Sequence, residues 1–185
     1  MIFRILFNGF LGLYFTCISV NPVVAQDQGV AEQIQGTLTE GGIIQFYQRF
    51  ETALTSGEDF IPFMERNLHN DFIMEQFAVP DVSKHVFTTK QKFIEDNQHL
   101  LTMGFMVEYA KYTLDSIDIG EDGKYAVVKN SLVSRFSLLQ PNKDNVFIRR
   151  EAEESGSCED LVVLTERGDI QLYKNKCGAN VTFKK

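Results

Sequence analysis

The stretch Ile43–Leu68, IIQFYQRFETALTSGEDFIPFMERNL, runs into Asn70–Phe77, NDFIMEQF, and its reading decides the fold. Between Thr39 and Leu54 the apolar residues Ile43, Ile44, Tyr47, Phe50, Ala53 and Leu54 recur at three- and four-residue spacing, the period of one helix face. Gly57 ends that helix. A shorter helix then starts at Asp59 as its cap, accepts Pro62 in its first turn and turns Phe60, Ile61, Met64 and Leu68 inward. Asp71 to Val79 is expected as a strand that stops at Pro80.

Downstream, Thr88-Thr89-Lys90-Gln91 matches a capping box, in which a Thr hydroxyl and a Gln three residues on satisfy the free amides of a helix start. That helix runs to about Met103, buries Phe93, Ile94, Leu100 and Leu101, and stops at Gly104. Beyond it the chain is β-prone throughout. Phe105–Ile119 and Lys124–Leu139 are long runs joined by the turn Gly120-Glu121-Asp122-Gly123. After a second turn at 140–145, Val146–Glu154 is a third strand with a bulge or bend in it at Ser155-Gly156-Ser157. Leu161–Thr165 and Ile170–Lys174 form a closing hairpin across Arg167-Gly168.

Upstream, Arg4 precedes an apolar run from Ile5 to Val20, then Asn21-Pro22 and the small residue Ala25 two positions after Val23. This is the layout of a secretory signal peptide, residues 1–25, cleaved before Gln26. The run, interrupted by Asn8, is shorter than the ~20 residues of a spanning helix, so no stable membrane anchor is expected after cleavage. Phe15-Thr16 before Cys17 is a poor match to a lipidation box. Export places the protein in a bacterial periplasm or outside the cell. Residues 26–38 read as a flexible leader, 39–177 as one folded domain and 178–185 as a C-terminal tail.

The full chain carries 18 Lys+Arg against 25 Asp+Glu, a formal net charge of −7, which offers no basic surface for a nucleic-acid backbone. Cleavage would remove Cys17 and leave Cys158 and Cys177, an even pair expected to join in an oxidising compartment. Counting outward from Arg167-Gly168, Glu166 opposes Asp169, Thr165 opposes Ile170, and the ladder brings Cys158 opposite Cys177. A two-residue loop makes this the wider, hydrogen-bonded kind of pair, with Cα atoms ~5.5 Å apart.

The order helix, helix, strand, helix, then antiparallel strands is an α+β layout with three N-terminal helices on a curved antiparallel sheet. Ile43–Leu68 with Asn70–Phe77, the hairpin GEDGKYAVVKNSL (120–132) and the closing LVVLTERGDIQLYK (161–174) resemble the NTF2-like superfamily, also called SnoaL-like or ketosteroid-isomerase-like, over residues 39–177. The resemblance implies a conical cavity between the helices and the concave sheet face. It also implies a homodimer through the sheet. Isomerases of the superfamily place a carboxylate base after the first strand and often a tyrosine on the first helix. Here those positions fall on Gln76 and Phe50, so no catalytic residue is assigned.

Alternation nominates the cavity lining. On Lys124–Leu139 the even positions set Asn130 and Ser134 among apolar neighbours, and on the next strand Arg150 shares the more apolar face with Val146, Ile148 and Ala152. Arg150 suits a carboxylate or phosphate; alternatively it reaches water at the sheet rim or pairs with Glu75. With Tyr47 and Glu75 these are the candidate ligand-binding residues of a non-catalytic domain that takes a small apolar or amphipathic ligand or a partner protein in the cell envelope; the alternatives are a lyase- or isomerase-type enzyme acting in the cavity and a structural dimerisation module. Glu75 reaches the cavity only if a bulge shifts its strand by one residue. His69-Asn70-Asp71 reads as a turn and cap, the alternative being the His–Asp pair that dehydratase or hydrolase relatives use, and the alternating charges of Arg149–Glu154 serve either as a partner surface or as solvated edge charges. No metal-ligand spacing, phosphate loop or cofactor motif occurs, and no cofactor is expected.

Overall fold

The computed structural model describes residues 36–57, 59–78 and 85–184. The expected signal peptide, its cleavage site, Cys17 and most of the leader lie outside them. The chain divides into Met1–Glu32 and Gln33–Lys185, and every described residue belongs to the second unit. Its elements are helices α1 (Glu40–Ser56), α2 (Phe60–Asn67) and α3 (Lys90–Thr102), and strands β1 (Leu68–Ala78), β2 (His85–Thr89), β3 (Met106–Ile119), β4 (Tyr125–Pro141), β5 (Phe147–Leu164) and β6 (Ile170–Phe183).

Thr39 caps α1 by accepting the Gly42 amide at 3.1 Å. The buried stripe is Ile43, Phe46, Tyr47, Phe50 and Ala53. Phe46, absent from the expected face, is fully buried, while Ile44 is 42% exposed. The helix ends at Gly57, whose φ of +67° suits a residue without Cβ. Two expected caps are corrected. Asp59 holds the N-cap position of α2 but its side chain makes no capping bond. On α3 the cap is Thr89, which accepts the Lys92 amide, so the box is displaced by one residue and Gln91 instead donates to Glu95. The apolar residues of α3 are half-buried, with Phe93, Ile94 and Leu101 against the core.

The six strands form one sheet in the order β2-β1-β6-β5-β4-β3. The expected all-antiparallel sheet is corrected here: it is mixed, because β6 pairs parallel to β1 while every other neighbour is antiparallel. A parallel pair needs a long crossover, and β2, α3 and the β3–β5 meander supply it. β1 begins straight out of α2 and takes His69-Asn70-Asp71 into the strand, in place of the expected turn, with an irregularity between Leu68 and Ile73. β2, which the sequence reading did not separate, pairs His85–Thr89 with Ile73–Phe77.

β6 continues through Gly178–Phe183, where a free tail was expected, because the whole segment pairs with β5 as far as Ala152 opposite Phe183, and Gly178 and Ala179 also pair with Phe77 and Ala78 on β1. A Cβ on Gly178 would lie 2.5 Å from the Phe77 ring. Only glycine permits that approach.

Cys158 and Cys177 are bonded and opposed, as the register argument expects. The route to that register differs. Near the turn, Leu164 pairs with Ile170 and Val162 with Leu172, one residue off the expected count, because Thr165–Asp169 closes a longer loop through Gly168 at φ +85°. A bulge that takes up Tyr173 then restores the count, and Leu161 faces Lys174. The Cα atoms of the cysteines are 4.2 Å apart, the narrow kind of pair in place of the wide one expected.

Candidate functional site

Between the helices and one face of the sheet lies a cavity of about 320 Å³. Helix α1 sends in Phe46, Tyr47 and Phe50, and α2 and α3 close it with Phe60, Met64, Phe93 and Leu101. The strands contribute by alternation: Phe72, Met74 and Gln76 from β1; Leu132, Ser134 and Phe136 from β4; Glu154, Gly156, Cys158 and Asp160 from β5. On β6 the Tyr173 bulge changes the parity, so Leu172 is followed by Asn175, Cys177 and Ala179. Without that extra residue Asn175 would face the other side of the sheet.

Asp160 is the centre of a polar network in this apolar wall and is 2% exposed. Tyr47 Oη donates to Asp160 Oδ2 at 2.5 Å and Asn130 Nδ2 donates to the same oxygen at 2.8 Å. Asn175 Nδ2 donates to Oδ1 at 2.6 Å. Asn130, 1% exposed, leaves its Oδ1 without a hydrogen-bond partner among the described residues. Burial pushes the Asp160 carboxyl above its ordinary range, against the pull of the three donors. Burial and then the charge of Asp160 hold the Tyr47 phenol far above its usual range, so it stays a donor. Tyr112, its ring centroid 5.4 Å from that of Tyr47, is raised in the same way.

Six residues along β5, roughly 20 Å at strand rise, Glu154 enters the cavity as a second carboxyl. Its Oε2 accepts from Ser134 Oγ at 3.2 Å. Burial pushes its pKa up and that bond pulls it down. Gln76 faces the cavity with an amide.

The structure brings together three of the five candidate residues. Tyr47 and Ser134 stand in the wall, and Asn130 stands behind it in the Asp160 network. Glu75 lies on the opposite face of β1, where its Oε1 is 2.8 Å from His85 Nδ1 and its Oε2 3.9 Å from Lys174 Nζ. No bulge turns it inward. Arg150 is exposed, opposite Leu138 in the β4–β5 ladder, and neither lines the cavity nor pairs with Glu75. His69 takes the Asp71 amide on Nδ1 and packs its ring, tilted by 49°, against Tyr173 at 4.9 Å between centroids, outside the cavity wall. Among the described residues no group of three His, Cys, Asp or Glu side chains could hold a metal ion.

Asp160 and Glu154 are the residues the sequence reading missed. It ended one strand at Glu154 and began the next at Leu161, which left Asp160 in no element. The signal was present: counting back in twos from Val162 gives Asp160, Cys158, Gly156, Glu154 and Ala152, a single strand face with two acids among small and apolar residues.

No family model matches the sequence, and no curated protein matches it. Solved structures do. A conserved protein from Planctomyces limnophilus is 15% identical, with a TM-score of 0.57 over 77% of this chain and 97% of its own. An NTF2-like protein of unknown function from Prochlorococcus is 10% identical, with a TM-score of 0.54 over 78% and 94%. The β subunit of an aromatic-ring-hydroxylating dioxygenase from Novosphingobium aromaticivorans, its assignment provisional, is 15% identical at 0.50 over 76% and 88%. At these identities the likeness is one of architecture: the chain has the NTF2-like fold.

Proposed function

We propose that this is an exported NTF2-like domain that binds a small, mainly apolar ligand in the cavity beneath α1. The observation that carries the reading is the cavity itself, about 320 Å³ walled by aromatic and aliphatic side chains with a few polar groups converging on it. That volume falls in the range of small-molecule sites. The Asp160 carboxyl supports binding over catalysis, because both its oxygens are already held by Tyr47, Asn130 and Asn175. A general base needs an oxygen free to meet substrate. The Cys158–Cys177 bond supports an oxidising compartment. Among the described residues no helix is long and apolar enough to cross a membrane.

Fluorescence titration with the neutral probe N-phenyl-1-naphthylamine tests the reading. Saturable enhancement at one site is expected, lost when Ala179 on the wall becomes Trp. A folded wild type that gives no saturable signal would overturn it. A second reading, a lyase or isomerase acting in the same cavity, is favoured by one observation: two carboxyls, Asp160 and Glu154, both pushed upward by burial in one cavity. Turnover of an enolisable ketone that disappears with Glu154→Gln would establish it.

A further inference from the structure

We infer that the ligand of this cavity is an organic cation, an ammonium group carried on a compact aromatic or branched apolar body. This rests on the reading of the cavity as a ligand site and names the class of ligand.

The charge inventory of the wall points one way. Among the described residues that line it, the ionisable side chains are Glu154, Asp160 and the phenols of Tyr47 and Tyr112; there is no lysine, arginine or histidine. An anionic ligand would enter a partly dry site with two carboxyls and no counter-charge, which is costly. A cation meets the opposite situation. The one side-chain hydrogen bond to the Glu154 carboxyl among the described residues comes from the neutral Ser134 hydroxyl. Lys184 pairs with Glu151 and Glu153, the odd-numbered neighbours that point to the other face of β5. Asp160 is committed to three donors, so Glu154 is the carboxyl with capacity to receive an ammonium.

The rings supply the second half of the site. Tyr112 stands with Tyr47 at 5.4 Å and with Phe50 at 5.7 Å between centroids, and Phe105 with Phe136 at 5.2 Å. Aromatic faces carry negative electrostatic potential and attract a desolvated cation, most strongly one too bulky to be well hydrated. Glu154 faces Ser134 across the β4–β5 ladder, and the next inward positions of β4 on either side are Leu132 and Phe136. Leu132 in turn pairs with Tyr112. The acid is therefore set between the two ring groups. A cavity of about 320 Å³ limits the body to the size of a substituted phenyl group and excludes a two-chain lipid.

The test uses two probes of one shape, benzyltrimethylammonium and its carbon isostere neopentylbenzene, each displacing N-phenyl-1-naphthylamine from the full-length protein. The cation is expected to bind at least about tenfold tighter than the isostere. Its N-methyl proton resonances should shift upfield in the rings' field. Glu154→Gln, with its fold checked by thermal melting, should erase most of the preference. If the isostere binds as well as or better than the cation, the class assignment fails and the cavity reading stands. If neither probe displaces the naphthylamine and the naphthylamine itself does not bind, the cavity reading fails too. The N-methyl shift is read on the wild type, so a glutamine variant that does not fold leaves the question decided; bound cation without an upfield shift also overturns the assignment.

Discussion

Reducing the Cys158–Cys177 bond should destabilise the domain by an amount set by the loop it closes. The cysteines are 19 residues apart in sequence. For a loop of that size the chain-entropy account gives about 3 kcal/mol from restriction of the unfolded state. In a domain of roughly 150 residues each kcal/mol moves Tm by about 2–4 °C, so the expected fall is about 6–12 °C. The bond also sits two ladder steps from the pair Asp160–Asn175, on the same face of the sheet, so its loss should loosen the hydrogen bond between them as well as the hairpin. Differential scanning calorimetry of the oxidised protein, of the protein reduced under mild denaturant and refolded, and of Cys158→Ala/Cys177→Ala measures the effect. Alkylation and mass determination confirm that both thiols are free. An unchanged Tm in fully reduced protein would refute the argument, since it would mean that the β5–β6 register, with its loop offset and its compensating bulge, constrains the unfolded chain no more with the bond than without it.

Tyr47→Phe removes the shorter of the two bonds to Asp160 Oδ2 and should cost about 1–3 kcal/mol in urea unfolding, without loss of helix content by circular dichroism; a cost near zero would show the bond to be dispensable. The second concerns pH. Because the folded Asp160 pKa lies above its unfolded value of about 3.9, the native state keeps a proton that the unfolded state has lost between those two values. Its contribution is full below the unfolded pKa and declines as pH rises through the folded one. The stability difference between wild type and Asp160→Asn should therefore move against the wild type as pH increases across that window. A flat difference would place the carboxyl at its ordinary pKa and an opposite slope below it, and either would refute the upward shift.

The fold was legible because its decisive signals are local. The three-four spacing in α1, the glycine stop at Gly57 and the acidic glycine turn at 120–123 each depend on a few neighbouring residues, and each falls where the sequence places it. What was not legible is long-range. The parallel union of β1 with β6 joins segments about 100 residues apart, and nothing in either segment announces its partner. The 178–183 segment reads as a tail for the same reason: its order comes from its pairing with β5, from β1 beside Gly178 and Ala179, and from the space that Gly178 leaves for Phe77.

The cavity chemistry was missed at one place, and the cause was treating Ser155-Gly156-Ser157 as an interruption. Small residues inside a strand mark either a bend or a face that must stay shallow. Here they do the latter. β5 runs unbroken from Phe147 to Leu164, and a Cβ on Gly156 would meet the Gly178 carbonyl oxygen at 2.8 Å. The continuity of that strand keeps Glu154 and Asp160 on one face, with Gly156 and Cys158 between them. The Tyr173 bulge then brings Asn175 to the same face, where it completes the support of Asp160. Two irregularities that look like noise in the sequence, a glycine in a strand and a register slip in a hairpin, are what build an acidic, aromatic-walled chamber out of an otherwise ordinary sheet.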